Sequence, residues 1–165
     1  MDPMLNFLVL CTGNSARSIL LEHILTHKSE GRIRAFSAGS NPTGRVHPQS
    51  LTLLTARGYD VSAARSKSWD EFALPDGPEM DAVITVCGSA ADEVCPVWPG
   101  APTRAHWGVE DPARAAERDW QEAFETAYDA LNARAEALFA QPFETYDRAE
   151  LQSALSKIET DFHAQ

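Results

Sequence analysis

The sequence is short of cysteine, of positive charge and of long apolar runs, and each shortage removes a class of protein. Its three cysteines, Cys11, Cys87 and Cys95, make an odd number with no zinc-type pairing, because the later two stand eight apart with no histidine at ligand spacing. In a reducing compartment that pattern suggests redox or nucleophilic chemistry, although a free cysteine is also a small hydrophobe suited to burial. At 165 residues one domain buries enough apolar surface to fold without staples. No apolar run approaches the ~20 residues of a membrane span. The N-terminus lacks the basic segment, apolar core and small-residue cleavage site of a secretory leader, so a cytoplasmic chain is expected. Fourteen Lys plus Arg stand against 24 Asp plus Glu, a formal charge of −10. That balance argues against nucleic acid or an anionic membrane as partner, and any anionic ligand needs a local cationic pocket.

What is present is a regular alternation of elements. Apolar runs at Phe7–Cys11, Ile33–Ser37 and Asp81–Cys87, with a weaker one at Arg104–Trp107, read as strands. Helical spacing falls between and after them: Ser18–His27, His47–Arg57, a short piece at Ser68–Phe72, and a long one over Arg118–Phe139 that repeats Trp120, Phe124, Ala127, Leu131 and Leu138. This order predicts a single-domain α/β fold, a parallel sheet of about four strands flanked by helices on both faces. Ligands of such sheets lie beyond the strand C-termini, and Cys11 and Cys87 each close a strand, so both should open onto one edge. Pro142 interrupts the pattern. Residues 1–142 are read as the domain and 143–165 as a C-terminal helical extension with Leu151, Leu155 and Ile158 on one stripe. That stripe is too small for an independent unit, and it either docks on the domain or pairs with a second subunit.

The densest chemistry is in "VLCTGNSARS", residues 9–18. Gly13, Asn14 and Ser15 cannot continue a strand, so the residues from Cys11 to Arg17 form a loop entering a helix. The amides of Thr12, Gly13, Asn14, Ser15, Ala16 and Arg17 can point inward there, and the helix adds partial positive charge, which suits a tetrahedral oxyanion. Arg17 can give two parallel hydrogen bonds to it, which a lysine cannot do. The same donors should depress the pKa of Cys11, leaving a thiolate at neutral pH, with Ser18 donating a hydroxyl to the sulfur. A thiolate held under a bound oxyanion is a nucleophile aimed at its central atom. Asn14 suits a left-handed position or a side-chain bond that fixes the loop.

"LCTGNSARS" resembles the signature loop of the low-molecular-weight protein tyrosine phosphatase fold. "SAG" at Ser37–Gly39, "VITVC" ending at Cys87, Cys95-Pro96 and "HWGVEDPA" at His106–Ala113 are similar to the arsenate reductases of that group. The resemblance implies that arsenate binds in the loop, that Cys11 attacks arsenic, and that Asp111, fixed by Pro112, protonates the departing oxygen, while Glu110 is a solvated loop charge. It further implies that Cys87 attacks Cys11 to release arsenite, and that Cys95 moves the redox-active disulfide outward. No tightly bound cofactor is implied; thioredoxin, or glutathione with glutaredoxin, is the external thiol reductant, and the role is arsenic detoxification. Phosphate and sulfate are expected as competing anions. Some relatives bind potassium near the loop; Asn14, Glu22 and Ser37 fit that site, but residues 65–67 do not, and a lysine there is expected to supply the charge, so no metal is assigned.

Two other readings use the same residues. A tyrosine phosphatase needs only Cys11, Arg17 and Asp111, although Ala113 and Arg114 stand where phosphatases often carry aromatic residues that clasp the substrate ring. An oxyanion-binding or redox-sensing module would have no use for Asp111 at the rim. A helix over residues 87–95 would hold its terminal Cα atoms ~12 Å apart, whereas a disulfide allows about 4.4–6.8 Å, so residues 88–96 are expected to loop out and be mobile. His23, His27 and His47 read as surface residues, Arg104 and His106 as structural, and Trp69, Trp98, Trp107 and Trp120 as packing residues.

Overall fold

The computed structural model describes residues 4–87, 98 and 100–162. Strands β1 (Leu5–Leu10), β2 (Ile33–Ala38), β3 (Ala82–Thr85) and β4 (Thr103–His106) form one parallel sheet in the order β2-β1-β3-β4. Helix α1 (Arg17–Lys28) joins β1 to β2, and α2 (Pro48–Ala56) lies between β2 and β3. After β4 come α3 (Trp120–Phe139) and α4 (Arg148–Asp161). Phe7 through Leu10 are each 0% exposed, as expected of a central parallel strand covered on both faces.

The chain leaves β1 toward β2 on one side, while β3 lies on the other side of β1, so the topological switch point falls between β1 and β3. Register pairs Leu10 with Thr85, and Val86 N still donates to Leu10 O at 2.9 Å. The ladder ends there, two residues earlier than the apolar run suggests. Cys11 and Cys87 therefore emerge side by side at that crevice. The short piece near Trp69 is a 3₁₀ turn, Trp69–Phe72, whose first turn is capped by the Ser68 hydroxyl accepting from Asp70 N at 3.1 Å. The long helix starts at Trp120, because Glu117–Asp119 is a separate 3₁₀ turn.

The last helix docks on the sheet. Helix α4 opens with a capping box between Asp147 and Glu150 and runs along the edge strand β4. There Gln152 acts as a substitute strand: its Oε1 accepts from Arg104 N at 3.0 Å and its Nε2 donates to Arg104 O at 2.7 Å. Glu159 accepts from His106 N at 2.7 Å, and the Trp107 indole donates to Leu155 O at 3.3 Å. These bonds cover an edge that otherwise exposes unpaired amides. Leu151, Leu155 and Ile158 sit in the same core as the strands. Leu155 is fully buried, so Leu155→Ala is expected to lower unfolding stability by about 2–5 kcal/mol, measured by urea denaturation.

Candidate active site

The loop from Cys11 to Arg17 is shaped by where its carbonyls go. Thr12 O accepts from Asn41 N, Gly13 O from Thr43 N and the Ser66 hydroxyl, and Ser15 O from His47 N and the Ser50 hydroxyl, at 3.0–3.2 Å. With the oxygens turned outward onto residues 41–50 and 66, the amide side of the loop faces the crevice. No side chain caps α1, and of its first N–H groups that of Ser18 turns to the Cys11 sulfur. Asn14 fulfils both of its expected uses. Its φ is +46°, and its side chain donates to Ser18 Oγ at 2.8 Å and Ser37 Oγ at 3.0 Å while accepting from Lys67 N at 2.9 Å.

Cys11 lies at the floor of the loop, 4% exposed, with its Sγ 2.9 Å from Ser18 Oγ. The expectation of a depressed pKa is not met. Burial pushes the thiol up and the neighbouring Cys87 adds to the rise, while the Ser18 hydroxyl and the amides of Ser18 and Asn14 pull it down. The compensating cation is engaged elsewhere. Arg17 donates from Nη1 to Val109 O at 2.9 Å, and its Nη2 lies 3.6 Å from Asp111 Oδ2. Iodoacetamide alkylation of the Cys11 peptide, followed by mass spectrometry without bound anion, should therefore rise through the alkaline range with a midpoint above the ~8.5 of a free thiol. Ser18→Ala should move the midpoint higher by removing a bond to the charged sulfur. A rate already at its plateau near neutral pH contradicts this.

Cys87 is also buried and free, and its Sγ accepts from Thr12 N at 3.3 Å, with Thr12 Oγ1 at 3.6 Å. Both thiols, Arg17, Asp111, Glu110 and Arg114 border one cavity of about 960 Å³. Asp111 Oδ1 accepts from Ala113 N at 3.0 Å, capping the turn Pro112–Arg114 and fixing the carboxyl over the loop. Cys95 and the expected mobile stretch 88–96 lie outside the described residues.

Behind the loop, Lys67 is 7% exposed and holds its ammonium 3.8 Å from Glu22 Oε1 and 3.0 Å from Arg65 O. Burial pushes the Glu22 carboxyl up and the Lys67 ammonium down, and each partner's charge opposes the shift of the other. The position facing Glu22 is taken by this ammonium, so the group does not fit a monovalent cation.

Several residues were not legible as part of the site. Gly39 is one: a Cβ there would stand 2.3 Å from Thr12 O and 2.8 Å from Cys11 O. The string "SAG" marks it, but only the contact explains it. His47 and His23 are not plain surface residues. His47 accepts from Gln49 N through Nδ1, capping α2, and packs on Trp120 and Phe124 at ring distances of 4.5 and 4.7 Å. Burial holds the His47 imidazole below its usual range, and the Asp111 charge works against that. His23 is buried and donates from Nδ1 to Ile19 O at 2.8 Å. His106 bonds Thr85 Oγ1, and Arg104 lies over the Trp98 ring, both structural contacts as expected. Trp98 and Trp107 are core residues, and Trp69 and Trp120 pack at its margin.

A loop of this form at the switch point of a four-stranded parallel sheet, with a cysteine under it and an aspartate over it, defines a family. The sequence profile of the low molecular weight phosphotyrosine protein phosphatases matches residues 6–155, and the chain belongs to that family. Within it, the relatives similar in sequence include arsenate reductases, while a tyrosine phosphatase of Erwinia amylovora, 22% identical, shares the fold at a TM-score of 0.62. That of Shouchella clausii is 35% identical over 128 residues, covering 76% of this chain and 88% of its own. A solved arsenate reductase in the phosphate binding state superposes with a TM-score of 0.65 at 28% identity, covering 83% of this chain and 98% of that one. The thioredoxin-dependent arsenate reductase of Corynebacterium glutamicum superposes at 0.60, also 28% identical, covering 85% of this chain and 65% of that one.

Proposed function

We infer that the protein is an arsenate reductase in which Cys11 and Cys87 work as nucleophile and resolving thiol. The observation that carries this reading is the second thiol: Cys87 Sγ hangs on the Thr12 amide at 3.3 Å, beside a nucleophile already provided with its own loop. A phosphatase has no use for it. Arsenate enters the loop and Arg17 turns from Asp111 and Val109 to its oxygens. As the Cys11 S–As bond forms, one As–O bond breaks, and the oxygen leaves as water with the thiol proton and a proton that arsenate brought, passed on by the Asp111 carboxyl. Arsenic remains at +5.

Cys87 then attacks Cys11 Sγ. The S–S bond forms, the S–As electron pair stays on arsenic, which leaves as arsenite at +3, and the Cys87 proton goes to an arsenite oxygen. The two thiols are oxidised by the two electrons that arsenic gains. Attack by Cys95 on Cys87, which frees Cys11 and carries the disulfide outward, is the final internal step. An external dithiol resets the chain, and likeness to the thioredoxin-dependent C. glutamicum protein favours thioredoxin over glutathione with glutaredoxin. The Cys11, Arg17 and Asp111 set also supports slow hydrolysis of phosphate esters as a side activity.

The test is arsenite production from arsenate by the reduced protein with thioredoxin, thioredoxin reductase and NADPH, beside a glutathione and glutaredoxin mixture. Turnover with thioredoxin that requires both Cys87 and Cys95 supports the full relay. Turnover with glutathione alone removes its last step, and no arsenite in either mixture overturns the reading.

A further inference from the structure

The cavity over the loop places two guanidinium groups, Arg17 and Arg114, against two carboxylates, Glu110 and Asp111. The two cations are not equivalent. Arg17 is committed to Val109 O and Asp111. Arg114, at the end of the turn Pro112–Arg114, is exposed and forms no ion pair among the described residues. It also borders an adjoining cavity of about 460 Å³ whose other charged residues, Asp119 and Glu122 besides Glu110 and Asp111, are all acidic. The chain as a whole carries −10. Among the charged residues lining the two cavities Arg114 and the partly neutralised Arg17 are the cations, while Arg118, 3.8 Å from Asp119 Oδ2, offsets one of the carboxylates.

We propose that Arg114 is a substrate-binding residue that selects small inorganic oxyanions over esters. An inorganic dianion seated in the loop turns a hydroxyl oxygen with free lone pairs to the mouth, where it can accept a hydrogen bond. A monoester covers that oxygen with its organic group. A guanidinium at the mouth gives a charge-assisted hydrogen bond to the first and nothing comparable to the second. Its field, which salt screens, draws either dianion inward, so the selectivity lies in the hydrogen bond. The inference rests on the reductase reading for its substrate and on the cavity geometry for its selectivity.

The test uses Arg114→Gln, an exposed change, with Arg114→Lys as the charge-conserving control. In arsenite formation with the external thiol system, Arg114→Gln is expected to raise the arsenate KM roughly tenfold with kcat within about twofold. Added salt, which screens the net repulsion, should raise kcat/KM more steeply for Arg114→Gln than for the unsubstituted protein, and Arg114→Lys should recover most of the loss. A second arm needs no turnover: inorganic phosphate and phenyl phosphate are compared as protectants of Cys11 against iodoacetamide. Arg114→Gln should weaken protection by inorganic phosphate several-fold more than that by phenyl phosphate. An unaltered KM, or equal weakening for both protectants, overturns the proposal. Were the unsubstituted protein to form no arsenite, the reductase reading would fail, and the protection arm would still decide the role of Arg114.

Discussion

Cys87→Ser is expected to reduce steady-state arsenite release by roughly 10³-fold or more while Cys11 still takes up arsenate once. Serine is close to isosteric with cysteine, so the bond from Thr12 N and the packing at the switch point survive. What disappears is the capacity to form a disulfide. The S–As adduct then has no thiol held beside it, and the two electrons that arsenic must gain have no internal source. Hydrolysis of phenyl phosphate, which asks only for Cys11, Arg17 and Asp111, should stay within a few-fold of the unsubstituted protein. That opposite response of two reactions on one nucleophile separates the reductase reading from loss of fold. Assaying free Cys11 thiol after mixing with arsenate checks the single uptake. Undiminished turnover of Cys87→Ser would falsify the internal relay and hand the second attack to the external thiol.

The rise in the Cys11 pKa and the engagement of Arg17 belong together. Arg17 is engaged by the Val109 carbonyl and the Asp111 carboxylate, so its charge is not turned to the Cys11 sulfur. The thiol then remains protonated in its buried site, where a thiolate would meet both desolvation and the adjacent Cys87. A protonated resting thiol has a chemical use, because the departing arsenate oxygen needs protons in the same step that forms the S–As bond. In the proposed reaction the thiol proton stands beside the oxygen that consumes it.

The parts of this site that could be read from the chain are those governed by local pattern. An uninterrupted apolar strand, Phe7–Leu10, followed by residues that must turn and then a helical stripe, locates the loop and its cysteine. The same logic on Ala82–Thr85 puts Cys87 at the same edge, because parallel strands deliver their C-termini together. What escaped depends on contacts between segments distant in sequence. The pKa of Cys11 follows from its burial and from Cys87 brought beside it across the sheet, which no local window reports. His23 sits on a helix face that looks polar in sequence, yet Tyr59 covers it at a ring distance of 6.3 Å. The use of Gln152 as a strand substitute joins residues 48 apart, and nothing in its own neighbourhood distinguishes it from a solvated glutamine.

Gly39→Ala is expected to cost about 1–3 kcal/mol of stability and about 10²-fold in kcat/KM, although the residue carries no functional group. The sign is informative, because a tolerated glycine-to-alanine change usually gains about 0.4–1 kcal/mol by restricting the unfolded chain. Here the new methyl would meet Thr12 O at 2.3 Å and Cys11 O at 2.8 Å, both backbone atoms that have no rotamer to change. Gly39 cannot retreat either. Its N–H donates to Lys67 O and its carbonyl accepts from Trp69 N, each at 2.9 Å, so it is held from behind by the segment that also carries the Glu22 partner. The strain must go into the oxyanion loop, moving Cys11 and the first amides relative to Arg17 and Asp111. A displacement approaching 1 Å is enough to spoil the alignment of sulfur with arsenic and of the acid with the departing oxygen. Thermal melts with and without inorganic phosphate check this: the variant should melt lower and lose most of the phosphate-dependent rise that the unsubstituted protein shows. An unchanged melt, with full arsenite turnover, would mean that the loop yields freely to the added methyl and that its backbone is not held by Gly39.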